Sequence, residues 1–160
     1  MNTLHSFQDI STAVQSARRV VIIGLPASGK TTLAMELDGM ELPHHVIHTD
    51  EEYPSDSGAS DLLHTELLFA DSIGWNVMVV GVLGYRLLRK CVEHGGEWLP
   101  DLVIEVRCSE GTRAARYAGE RPTKDYRRIP SFCKGLETVN KVWVESELSK
   151  NVRHMVYLTD

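Results

Sequence analysis

The chain predicts an α/β fold: three layers, α/β/α, around a five-stranded, mainly parallel sheet. Two observations carry this. Short apolar runs recur along the sequence, and segments of helical period stand between them. The runs are continuously apolar rather than alternating, the pattern of strands covered on both faces.

Each element can be justified in turn. Ser6 is placed to cap a first helix, with Asp9 three residues on. Phe7, Ile10, Val14 and Ala17 fall near one face of it. RVVIIG is the first strand, and a helix from about Lys30 to Leu37 follows, stopping near Gly39. HHVIHTD is a second strand ending at Asp50, and EEYPSDSGAS a polar loop. Ser60 is read as the cap of a helix carrying Leu63, Leu67, Ala70 and Ile73, with Gly74 as its stop. WNVMVVGVLG is a third strand and YRLLRKCVEHGG a helix closed by two glycines. PDLVIEVRC is a fourth strand, and SEGTRAARYAGER opens a helix that leads into a loop reaching about Phe132. Residues 135–149 are read as another helix and VRHMVYL as the last strand. No repeat or linker interrupts this order, so residues 1–160 are expected to form one domain.

Composition narrows the classes. The chain is 42% hydrophobic and 24% charged, a globular balance. No apolar run approaches the roughly 20 residues of a membrane span. MNTLHSFQDISTAVQSARR lacks a basic start followed by an apolar block, so no signal peptide is expected. Cys91, Cys108 and Cys133 show no pairing pattern, which suits a reducing cytoplasm. The net charge is −5, yet residues 107–134 hold eight Lys/Arg against three acids. An acidic body with one basic segment points to a local anion site rather than a surface for long duplexes.

The sharpest signal is Gly24-Leu25-Pro26-Ala27-Ser28-Gly29-Lys30-Thr31, with Thr32 behind it. It matches G-x-x-x-x-G-K-[ST] and sits between a predicted strand and a predicted helix. The glycines let backbone curl closely round a phosphate. Successive N–H groups and the helix N-terminus then face the anion. Lys30 is expected to reach the β- and γ-phosphates of ATP, and Thr31 to place a hydroxyl on Mg²⁺. A glycine turn with an idle lysine is the plainer alternative.

Three further features are candidates. Parallel strands all end at the phosphate-loop edge, so Asp50 brings a carboxylate toward the terminal phosphate. It is the candidate base for an attacking hydroxyl and a candidate Mg²⁺ ligand, with Glu51 and Glu52 as substitutes. Arg86, just after the third strand, is a candidate for holding an acceptor phosphate; a surface arginine is the alternative. Residues 109–134 form a candidate arginine-rich lid. Within it Arg116 and Arg121 are assigned to the transferring phosphate, and Arg113 either joins them or packs near the nucleotide base.

GLPASGKTT, HTDEEY and RAARYAGER together resemble the P-loop NTPases, and among them the small kinases that include polynucleotide 5′-hydroxyl kinases and zeta-type toxin kinases. The likeness implies that the acid after strand two acts as base or acceptor ligand and that lid arginines stabilise the phosphoryl group. Those roles fall on Asp50, Arg116 and Arg121. Two departures stand out. Relatives commonly carry an Asp at the end of strand three, where this chain has Gly81 or Gly84. Nucleoside monophosphate kinases insert a helical lobe after strand two, where this chain has about ten residues.

Other patterns are set aside. NKVW at 140–143 has Trp143 where a guanine-reading Asp is required. His44, His45 and His48 give H-H-x-x-H, but the first two point to opposite faces of a strand. Aromatics, at 7%, form no stacking platform beside basic residues. The sequence therefore predicts an ATP- and Mg²⁺-dependent kinase in the cytoplasm, acting on a hydroxyl or phosphate of a nucleotide, nucleic-acid end or small metabolite. A nucleotide-binding regulator and a nucleoside monophosphate kinase with a reduced acceptor lobe are the alternatives.

Overall fold

The computed structural model describes residues 4–53, 58–120 and 129–160, with backbone alone at 117–120 and 129–130. Five strands form one sheet: β1 (Arg19–Ile23), β2 (His45–His48), β3 (Val77–Val80), β4 (Leu102–Arg107) and β5 (Arg153–Leu158). Their order is β2-β3-β1-β4-β5. All four pairings are parallel, so the sheet is wholly rather than mainly parallel. The chain moves from β1 to one side for β2 and β3, then to the other for β4 and β5. That reversal beside β1 opens a crevice at the carboxyl ends of the strands.

Helices cover both faces. α1 (Phe7–Ser16) and α2 (Lys30–Asp38) lie on one. Ile10, Val14, Leu33 and Leu37 pack there against Val20, Ile22, Met78 and Ile104. α4 (Ala59–Ser72), α5 (Leu83–Glu93) and α7 (Ile129–Val144) lie on the other. Leu63, Leu67, Leu88 and Trp143 pack there against Val21, Val79 and Val103. β1 alternates between these two cores residue by residue, which is why its sequence is apolar throughout. α6 (Glu110–Glu120) follows β4.

Local chemistry explains most boundaries. Ser6 and Asp9 form a reciprocal capping box at the start of α1. Gly74, at φ 77°, closes α4. Three expectations need correction. Ser60 does not cap α4; Gly58 does, and Ser60 is buried in the first turn. α7 starts at Ile129 rather than 135, because Pro130 in a first turn costs no hydrogen bond. It also ends sooner, at Val144, and a 3₁₀ turn, Leu148–Asn151, leads into β5. β2 stops at His48, so Asp50 lies in a single helical turn, α3 (Thr49–Glu52).

Candidate nucleotide site at the carboxyl edge

β1 delivers the chain into the 24–29 loop. Ala27 at φ 62° and Gly29 at φ 104° turn the backbone through left-handed conformations. Gly29 adopts this without steric cost; at Ala27 it costs about 1–2 kcal/mol. Gly24 is required for space, since a Cβ there would stand 2.4 Å from Ser28 Oγ and 2.8 Å from the Val106 carbonyl. The Ser28 N–H donates to the Leu25 carbonyl at 3.1 Å. Lys30 begins α2, is 6% exposed, and its Nζ donates to that same carbonyl at 3.1 Å. The loop is thus folded around the lysine stem.

A cavity of about 1000 Å³ opens at the loop. Pro26, Ala27, Gly29, Lys30, Thr31 and Thr32 form one part of its wall. Asp50, Arg116, Phe132, Tyr157 and Thr159 form another. Gly24 and Ser28 are buried within the loop and are not among the cavity-lining residues. Ser28 Oγ faces Gly24 and has no partner among the described residues.

Asp50 is held by its neighbours. The His48 N–H donates to Glu52 Oε2 at 2.7 Å, which closes the turn of α3. Glu52 is therefore engaged with backbone and is not among the cavity-lining residues. The Thr49 hydroxyl donates to the Val80 carbonyl at 3.2 Å and fastens α3 to β3. The Tyr53 hydroxyl donates to the Glu66 carboxylate on α4. Burial, then that bond and the Glu66 charge, push the Tyr53 phenol above its usual range.

These contacts account for the glycine at the end of strand three. Gly81 has φ 141°, and a Cβ on it would lie 1.9 Å from Thr49 Oγ1 and 3.3 Å from Asp50 Oδ1. No acid fits at position 81. The Asp50 carboxylate stands beside the point from which such an acid would grow.

The arginines divide. Arg116 Nη1 donates to the Ala27 carbonyl at 3.0 Å and to Thr159 Oγ1 at 3.2 Å. Its Nη2 donates to the Thr159 carbonyl at 2.9 Å. It lines the cavity, but its hydrogen bonds grip the loop. Arg113 lies away from the cavity wall, with Nη1 3.2 Å from Cys133 Sγ and a buried Nε without a partner among the described residues. Arg86 is exposed on α5, also away from the wall. Arg121 lies outside the described residues. Of the histidines, His44 is buried with Nε2 2.6 Å from the Ala17 carbonyl, while His45 is exposed against Trp75. Among the described residues no group of three or more His, Cys, Asp and Glu has metal-holding geometry.

Thr159 is the contributor that sequence reasoning missed. Its hydroxyl donates to the Ser28 carbonyl at 2.5 Å. A threonine just after a strand gives no signal of such a partner.

No family model matches the chain. No curated protein matches it either. Among solved structures it is similar to deoxyadenosine kinase from M. mycoides with bound dATP, at 13% identity and a TM-score of 0.45. The match covers 86% of this chain and 89% of that one. At that level the site must be read from the residues of this chain. No helix among the described residues is long and apolar enough to cross a membrane.

Proposed function

We propose that the chain is an ATP-dependent phosphotransferase of P-loop kinase type. One observation carries this reading: Lys30, Thr31, Thr32 and Asp50 line one cavity at the mouth of a left-handed glycine loop. Lys30 and the loop amides hold the β- and γ-phosphates. An acceptor hydroxyl attacks the γ-phosphorus, the bond to the β–γ bridging oxygen breaks, and ADP leaves. Asp50 takes the acceptor proton. Mg²⁺, when bound, neutralises charge on the phosphate oxygens; Thr31 and Asp50 are the residues of this chain that fit it. The acceptor is a hydroxyl or phosphate of a nucleotide, a nucleic-acid end or another small metabolite. Arg121, in the basic 109–134 segment, remains the proposed lid arginine, whereas Arg116 acts chiefly on the loop.

A second reading, a nucleotide-binding regulator without an acceptor, draws on Gly81, where no acid can be accommodated. The test uses γ-³²P-ATP and Mg²⁺ with separate pools of 5′-hydroxyl oligonucleotides, nucleosides, nucleoside monophosphates and metabolite extract. Label in one pool is expected and names the acceptor. ATP binding with label in no pool favours the regulator.

A further inference from the structure

We propose that Thr159 is a positioning residue that, together with Arg116, sets the shape of the phosphate loop from outside it. This rests on reading residues 24–31 as a phosphate site. Two consecutive loop carbonyls are each met by a side chain from outside the loop. The Ala27 carbonyl accepts from Arg116 Nη1 at 3.0 Å and lies 3.8 Å from Cys108 Sγ. The Ser28 carbonyl accepts from Thr159 Oγ1 at 2.5 Å. Thr159 is itself fixed, since its N–H donates to the Arg107 carbonyl at 2.9 Å and Arg116 binds both its hydroxyl and its carbonyl.

Peptide planarity turns these grips into aim. In a trans peptide the C=O and the following N–H point in opposite directions. Holding the Ser28 carbonyl against Thr159 therefore fixes the direction of the Gly29 N–H, at a residue that lines the cavity. Holding the Ala27 carbonyl fixes the Ser28 N–H, which donates to Leu25 within the loop. Ala27 itself sits at φ 62°, which a non-glycine residue keeps only where its surroundings over-determine it. The bonds from Arg116 and Thr159 supply that constraint. The side chain at 159 also closes on Gly29: a Cβ there would meet Thr159 Cγ2 at 3.0 Å. The loop is thus braced by residues outside it, which set its conformation before a phosphate-bearing ligand arrives.

Thr159→Val keeps the shape and removes the donor; Thr159→Ser keeps the donor. Backbone hydrogen exchange of residues 24–31, measured without ligand, is expected to speed up about tenfold in Thr159→Val and to stay at the wild-type rate in Thr159→Ser. Exchange in residues 102–107 is expected to be unchanged. Calorimetry with pyrophosphate is expected to show about tenfold weaker binding for Thr159→Val only. Unchanged loop exchange in Thr159→Val overturns the proposal, as does an equal rise in both segments, which means that Thr159 only closes the sheet. Faster loop exchange with wild-type pyrophosphate affinity overturns it too. If the exchange result holds but wild-type protein binds neither pyrophosphate nor ADP, the clamp stands and the phosphate-site reading falls.

Discussion

The two edges of the sheet use the same residue types to opposite ends. At the amino edge, charges satisfy one another. Arg19 Nη2 lies 2.6 Å from Asp71, and Asp101 Oδ2 accepts the backbone N–H groups of Arg18 and Arg19, each at 3.0 Å. Gly74 and Gly95 are there for left-handed turns alone: a Cβ on either meets nothing within 4 Å. At the carboxyl edge, Gly24 and Gly81 have atoms within 3 Å of a would-be Cβ. Ala27 there holds a left-handed backbone, as Glu41 does ahead of β2, but only at the carboxyl edge is a lysine sunk beside an open cavity. One edge is closed by its own side chains. The other keeps tight backbone around an open cavity, the arrangement on which the proposed nucleotide site rests.

The comparison can be tested in order of effect. Asp50→Asn should slow phosphoryl transfer about a hundredfold or more while leaving ATP affinity and thermal midpoint near wild type. A near-normal rate would remove Asp50 as the base. Next, Gly81→Ala should cost about 2–4 kcal/mol in denaturant unfolding, from overpacking against Thr49 on top of its φ of 141°. Gly74→Ala should cost about 1 kcal/mol. Equal costs would mean that the two edges do not differ as described. Asp101→Ala should then cost about 1 kcal/mol, because two backbone donors lose their acceptor, with transfer activity unchanged.

The smallest effect is a pH dependence shared by neither edge. His154 donates from Nδ1 to the Val152 carbonyl at 2.8 Å, and its Nε2 accepts from Trp143 Nε1 at 2.9 Å, which requires the neutral ring. Burial lowers its pKa. Burial, then the stacked His94 ring, also lowers that of His64, against the opposing charges of Glu97 and Asp61. The unfolded chain therefore takes up these protons first as pH falls, and stability should drop below about pH 6.5. His154→Gln should flatten part of that slope in acid-unfolding curves.

Much of this was legible in the sequence, for local reasons. The strands announce themselves because parallel strands are apolar on both faces, and the tight 24–29 loop because its residues act on their own backbone. The capping box of Ser6 and Asp9 is equally local. What stayed hidden depends on partners far along the chain. Nothing in HTDEEY distinguishes a strand end from the one-turn helix made by Thr49 and Glu52. Gly81 reads as a missing acid until Thr49 is seen to fill its space. Nothing in RAARYAGER shows that the Arg116 guanidinium meets Ala27 and Thr159. Arg86 and Arg113 each follow a strand that ends at the carboxyl edge, yet neither is among the cavity-lining residues.

The clamp also fixes when the loop is finished. Its carbonyls are held by Arg116 and Thr159, which lie 89 and 131 positions downstream. During synthesis, GLPASGKTT emerges before β5 and lacks this support until β5 has docked at the sheet edge. Contacts of such sequence separation form late. The motif should accordingly be present in the nascent chain before the contacts that hold its carbonyls, which wait for β5 to join the sheet.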